Sequence, residues 1–495
     1  MENDQKEGKK ADFFDKYYLY IFFAILLFSF YLRLKYYNIN TAIWYDEGSY
    51  LNMAKRIGLG LDYLNDDYYF RRTFFIPLFF AFLYKISGNT EFLLRISELL
   101  FSTGSVIFTY LLIKEMFDKR YAVLSSFVLG VSWLSLFFTS RLLTNGPDLF
   151  FMTGGLYFFW KGYANNKQKY NIYLAGLFFG MGIFTRFASI IMLMPLFIYM
   201  IAREKLGFLK NKNVWIMIFI IFLILTPFFI KFFSYKDAGA GVGGFLKHYF
   251  YGRDILIFNY LLDIAYILKG FFIILFVIGL AYFLDLFLAP DMILKDENIR
   301  KKLFILIWLL LPTIIFGLIT SMVEERYLML TLPFMAFLIV HGCMIITKYL
   351  KLSNNLATIV LFILLMGGAY SQVTFADSLI KDKKDSFVQL RYAGEWLKQN
   401  TKTTDYIIAS GQPELMYYSE RNIESFTATE QEFQEKKISK FKPKYMILTA
   451  LEPSPEWTYN YPEKNQDKLK PVMVFFFDSE QKKPAVVIYE FIAYS

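Results

Sequence analysis

Apolar runs separated by short charged loops fill most of the chain: 17–37, 94–113, 121–140, 149–162, 171–185, 188–202, 214–233, 263–288, 303–320, 327–347 and 356–374. Runs of this kind predict membrane-crossing helices, since a bilayer core takes about 20 apolar residues to span. One more run, 73–86, is short and follows Arg71-Arg72. If it crossed fully, Lys114, Lys119, Arg120, Lys161, Lys167 and Lys169 would all face outward. Read as an interfacial or re-entrant helix, it leaves every basic loop on the inner side, as short cytoplasmic loops require. The loops then sort into about eleven spans, with the N-terminus inside and the C-terminus outside.

Beyond residue 375 the pattern changes. Strand-like runs at 406–409, 445–449, 472–477 and 485–492 follow a helical stretch at 386–399, and the alternation predicts a small α/β layer. The expected fold is a polytopic α-helical membrane protein with a C-terminal extracytoplasmic α/β domain. Its parts are a cytoplasmic segment 1–16, a membrane domain 17–375 and a soluble domain 376–495. Outer loops at 38–93, holding interfacial helices, and at 234–262 belong to the membrane domain. The first apolar run ends at Arg33 without a small-residue cleavage site, so it reads as a retained span rather than a signal peptide.

Composition agrees: 56% of the 495 residues are hydrophobic, 20% aromatic and 19% charged. The net charge of +10 follows from the basic inner loops. No basic cluster interleaved with stacking aromatics stands apart from the spans, so no nucleic-acid partner is expected. The single Cys343 excludes disulfides within the chain, and His248 and His341 are the only histidines. A cysteine- or histidine-built metal centre is therefore not expected, and nothing in the sequence calls for a metal or other cofactor.

Candidate chemistry gathers on the outer side. Asp46 and Glu47 follow the first span, with Asp46 placed to cap a helix over 47–57. Tyr50, Met53, Ala54 and Ile57 share one face of that helix, and Asn52, Lys55 and Arg56 lie elsewhere, a pattern suited to lying in the membrane interface. Arg71 and Arg72 close the loop. Arg141 and Asp148 flank the next outer turn, Arg186 the one after, and Lys247, His248 and Arg253 lie in the long loop. Glu324-Glu325-Arg326-Tyr327 marks a later turn. Singly these have ordinary readings: snorkelling arginines, a helix cap at Asp148, a solvated Glu324–Glu325 turn, a loop histidine at 248. Collected on one face, arginines and carboxylates match a site that grips a lipid phosphate and deprotonates a hydroxyl. The stretch 239–244 is glycine-rich but lacks the Gly-Lys-Ser/Thr of a nucleotide loop.

Several of these pieces resemble a known family. Trp44-Tyr45-Asp46-Glu47-Gly48-Ser49-Tyr50 is similar to the first-outer-loop acidic motif of GT-C superfamily membrane glycosyltransferases, nearest to the protein O-mannosyltransferases and the lipid A aminoarabinose transferase. Arg141 with Pro147-Asp148 resembles the second acidic motif, Gly180–Arg186 the family's turn that begins with Gly and ends in Thr-Lys/Arg, and Glu325-Arg326-Tyr327 with Pro333 the start of a late span. In the tail, Trp396–Asn400 and Tyr417–Arg421 resemble the external domain of many members. The aminoarabinose branch's Glu-Lys-Pro-Pro element is replaced here by Arg71-Arg72-Thr-Phe-Phe-Ile-Pro77, and the oligosaccharyltransferases' Trp-Trp-Asp signature is absent.

The resemblance implies a donor sugar on a polyprenyl (dolichyl or undecaprenyl) monophosphate. An acceptor hydroxyl on a protein, lipid or glycan attacks it in one inverting displacement at the outer face of the cell membrane. It implies Asp46 as general base, Glu47 and Asp148 as orienting carboxylates, and Arg186 and Arg326 with Tyr327, then Arg71 and Arg72, as phosphate ligands. Lys247, His248 and Arg253 are candidates for handling donor or acceptor. A transporter or flippase would show related halves and charges at the bilayer midplane. A non-catalytic receptor would not need the acidic residues and arginines to be kept on one side.

Overall fold

The computed structural model describes residues 13–63, 73–234, 254–351 and 354–492. Two compact units emerge: residues 1–37, 98–139 and 144–379 form one, and residues 38–97, 140–143 and 380–495 the other. Among the described residues eight helices are long and apolar enough to cross a membrane. A ninth is added if Lys119–Val131 and Trp133–Thr139, bent by 56°, count as one crossing. The chain is an integral membrane protein. Three apolar helices are shorter, Phe75–Ser87, Tyr170–Thr185 and Ile257–Leu268. The first, with 13 residues, reaches roughly 20 Å at 1.5 Å per residue, against a bilayer core of ~30 Å.

In the first unit, the run expected as one crossing at 263–288 is broken. Helices Ile257–Leu268 and Phe271–Gly279 are separated by Lys269 and Gly270, both at positive φ. The earlier of the two begins inside the stretch expected as loop 234–262. Leu256 N–H donates to the Gly317 carbonyl at 2.7 Å and the Tyr260 hydroxyl meets Thr320 Oγ1 at 3.0 Å. These bonds tie residues 256–260 to the helix Glu297–Ile319 instead of leaving them in a loop. Helices Phe271–Gly279 and Leu332–Tyr349 cross at Gly279 and Gly342. A Cβ on either glycine would lie 2.0 Å from a carbonyl oxygen of the facing helix. Small residues at such crossings let backbones approach closely and gain dispersion contact where lipid offers no hydrophobic drive.

A five-stranded sheet organises the second unit: β1 (Ile407–Ala409), β2 (Ile423–Glu424), β3 (Tyr445–Thr449), β4 (Leu469–Phe476) and β5 (Pro484–Phe491). Its order is β2-β1-β3-β5-β4, with β1 parallel to β2 and β3, and β5 antiparallel to β3 and β4. Alternate residues of β3 serve opposite faces, as the strand's period of two dictates. Tyr445 and Ile447 join Leu390, Ala393 and Leu397 of the helix Val388–Asn400, whereas Met446 and Leu448 join Phe433 and Tyr461. Met53 and Tyr63, far earlier in sequence, sit in the first of these clusters.

Met53 belongs to the helix Tyr45–Leu59, which carries the acidic stretch and packs on Phe75–Ser87 and Gln412–Ser419. At Gly48 an added Cβ would come within 2.8 Å of the Pro413 carbonyl carbon, so only glycine permits the crossing. Gly60, at φ 71°, ends the helix and donates to the Arg56 carbonyl at 3.1 Å, the left-handed stop that glycine adopts cheaply. The interfacial pattern expected of this helix does not hold over residues 47–55, all of which are buried. Asn52 Nδ2 donates to the Pro413 carbonyl (2.8 Å) and Lys55 Nζ to the Tyr417 carbonyl (3.1 Å), so the polar side faces protein rather than water.

Candidate active site

Asp46 was expected to cap its helix, but the structure assigns that work to Glu47. The helix begins at Tyr45, two residues earlier than the pattern suggests, so Asp46 lies in the first turn rather than at the cap. The Glu47 carboxylate reaches back to accept the Trp44 N–H at 2.7 Å, the return half of a capping box. Its other oxygen accepts the Leu142 N–H at 2.7 Å. Arg141 lies 3.5 Å from the same carboxylate, and both residues are 1% exposed. The Arg141 guanidinium also lies over the Trp44 ring at 3.7 Å, within cation–π range.

Residues 140–143 are held further by Asn40 Nδ2 (2.5 Å) and Arg95 Nη1 (3.4 Å), both donating to the Ser140 carbonyl. Glu47 is thus a fully committed structural anchor. Asp46 beside it is only half-buried, and charges in the first turn suit a carboxylate there.

Two other carboxyl groups share Asp46's surroundings. Glu414, in the first turn of Gln412–Ser419, is buried, and neither carboxyl oxygen has a hydrogen-bond partner among the described residues. Burial pushes its carboxyl well above the usual range, and the nearby Glu452, Asp46 and Glu47 add to the rise. Glu452 is raised as well, by burial first and then by Asp46.

In the first unit, a second group of expected residues converges. Asp148 lies in the first turn of Asn145–Phe159, and both its oxygens accept from the Ser189 hydroxyl at 2.7–2.8 Å. It lines a water-sized cavity with Arg186 and Tyr327. Arg186 follows the C-terminal end of Tyr170–Thr185. Its guanidinium lies 4.7 Å from the Tyr327 ring centroid and donates to the Arg326 carbonyl at 3.4 Å. Tyr327 stacks on Phe316 at 4.6 Å, and Arg326 pairs with Glu324. Asp148, Arg186 and Tyr327 therefore line one cavity, and Arg326 joins them through its carbonyl's bond to Arg186.

Arg71, Arg72, Lys247, His248 and Arg253 lie outside the described residues. Among those that are described, no group of three or more His, Cys, Asp or Glu side chains could hold a metal ion. Sequence reasoning did not find Ser189 or Glu414, which no motif marks. It noticed Arg141 but gave it no role, because its partner Glu47 lies 94 positions away.

The sequence profile of the family described as dolichyl-phosphate-mannose-protein mannosyltransferase matches residues 71–230. The fold matches ArnT from Cupriavidus metallidurans solved with undecaprenyl phosphate, with a TM-score of 0.63 at 12% identity, covering 95% of this chain and 98% of that one. The chain shares the fold of that structure, and the family profile covers about a third of its length. The apo form of ArnT gives a TM-score of 0.64 at 13% identity, over 96% of this chain and 98% of ArnT. AglB, the oligosaccharyltransferase of Archaeoglobus fulgidus, was solved with an inhibitory peptide and a dolichol-phosphate. It gives 0.63 at 14% identity, over 88% of this chain and 70% of its own. At such identities the likeness to solved structures is one of fold. No curated protein matches in sequence. The profile's span includes Arg141, Asp148 and Arg186 and leaves Asp46 outside.

Proposed function

We propose that the chain transfers a single sugar from a polyprenyl monophosphate to an acceptor hydroxyl on the outer face of the cell membrane, with inversion. In this reading the acceptor oxygen attacks the anomeric carbon as its proton passes to the Asp46 carboxylate. The bond from that carbon to the phosphate oxygen breaks, and the polyprenyl phosphate departs with the electron pair. Arg186 and Arg326 hold the phosphate, since a guanidinium fork offers two parallel donors to its oxygens. Tyr327 fixes Arg186, and Asp148 with Ser189 shapes the cavity beside it. The relatives solved with undecaprenyl phosphate and dolichol-phosphate support a lipid-phosphate donor.

The observation that carries the assignment of the base is the division of labour in the acidic pair. Glu47 is buried among Trp44, Leu142 and Arg141, whereas Asp46 keeps access to solvent.

The test is transfer by the purified chain from a panel of polyprenyl-phosphate sugars, with Asp46→Asn alongside. Asn retains the size and polarity of the side chain but removes the proton acceptor. Turnover should fall by about 10²–10⁴-fold, the usual contribution of a general base, with thermal stability nearly unchanged. Arg326→Lys should also slow turnover, because a point charge does not reproduce the fork. Full turnover by Asp46→Asn would remove Asp46 from the chemistry.

A further inference from the structure

The second unit contains a groove of about 500 Å³, within the size range of small-molecule sites. Its chemistry is unlike that of most such sites, which are largely apolar. It has no aliphatic side chain among its lining residues; cations, carboxylates, amides and two tyrosines make up nearly all of it. Its charges are satisfied internally. Arg95 pairs with Glu91, Arg391 with Glu395 at 2.8 Å, and Lys55 and Lys398 with Glu420 at 3.2 and 2.6 Å. An anionic ligand would have to displace a carboxylate from its cation. A lipid tail or apolar peptide side chain would meet no aliphatic side chain, only tyrosine rings and the stems of charged residues.

What remains is a dense array of directional donors and acceptors. Asn89 Nδ2 donates to Glu420 at 2.7 Å from an exposed position. Asn40 is nine-tenths buried. Its Nδ2 is bound to the Ser140 carbonyl, while its Oδ1 has no partner among the described residues. A buried acceptor left unmatched costs about 1–3 kcal/mol. Tyr418, half-buried with Arg391 at 5.8 Å from its ring, adds an aromatic face. Hydroxyls that both donate and accept can engage ion-paired side chains on either side, so the matching ligand is neutral and rich in hydroxyls.

We propose that this groove binds a neutral oligosaccharide and is where a glycan acceptor is held. As a binding site it stands alone; as the acceptor's place it rests on the transferase reading above.

The experiment is binding of the purified full-length chain in detergent to a panel of neutral oligosaccharides, with affinities measured for the best of them. Asn89→Ala and Lys398→Ala alter exposed side chains and should each weaken binding by up to about tenfold, the scale of one net hydrogen bond. Asp46→Asn should leave the affinity unchanged, so a failure of the transferase reading would show in turnover without touching this result. The proposal is overturned if no neutral oligosaccharide binds or if neither groove variant alters the affinity. It is equally overturned if a Ser/Thr-rich peptide or acidic glycans bind there in preference.

Discussion

Glu414 shows most plainly how position sets the behaviour of a single side chain. Its carboxyl is buried without a partner beside Glu452, Asp46 and Glu47, so the charged form is disfavoured. The folded state therefore holds a proton that the unfolded chain releases near pH 4.5. Its contribution to stability is fully present below that pH and is lost as pH rises toward the folded value. Glu414→Gln mimics the protonated form and should raise the thermal midpoint at pH 7–8 while changing little at pH 4. An unchanged difference between the two proteins across that range would mean that Glu414 is ionised in the fold.

The acidic pair teaches a related lesson about legibility. Two adjacent carboxylates before a helix are visible in the sequence. Which one is committed to structure is not, because the commitment is made by the N–H of Leu142 and the guanidinium of Arg141, far along the chain. Ser189, bound to Asp148 across 41 positions, was invisible for the same reason.

At the scale of elements, local pattern was informative wherever one face or one run decided the structure. The strands expected at 445–449 and 485–492 appear as β3 and β5 within a residue or two, and the helix expected at 386–399 appears at Val388–Asn400. β2, only two residues long at the sheet's edge, carries too little alternation to read. The helix Tyr45–Leu59 was misjudged in environment, because its amphipathic spacing gives no sign that a second helix covers the polar side. That cover depends on Gly48. Gly48→Val should force the helix off Pro413, strain the Asn52 bond to the Pro413 carbonyl and cost about 1–3 kcal/mol through overpacking. Thermal unfolding of the purified chain measures it, and a midpoint equal to wild type would show that the crossing has slack.

For the whole molecule, hydropathy and loop charge established the class, and the fold's relatives agree with it. Sidedness follows from the basic loops alone and yields a direct expectation. With Cys343 replaced by serine, Lys119→Cys should react with a membrane-impermeant thiol reagent only from the cytoplasmic side, and Glu480→Cys only from outside. External labelling of Lys119→Cys would reverse the threading. Linear patterning marks the change of composition near residue 376, but it carries no trace of the packing of residues 38–97 with the tail. Hydrophobic spacing reports that a face is buried, not what buries it.

That packing bears on how the protein is made. Asn52 and Pro413, joined by a hydrogen bond, are separated by 361 positions, and Met53 and Tyr63 have no core until β1, β3 and β5 exist. At a synthesis rate of ~5–20 residues per second, the first outer loop waits roughly 20–70 s for its partner to emerge. During that interval its apolar side chains and Lys55 are without their final neighbours. The acidic helix, among the first parts to be translated, is thus among the last to be finished.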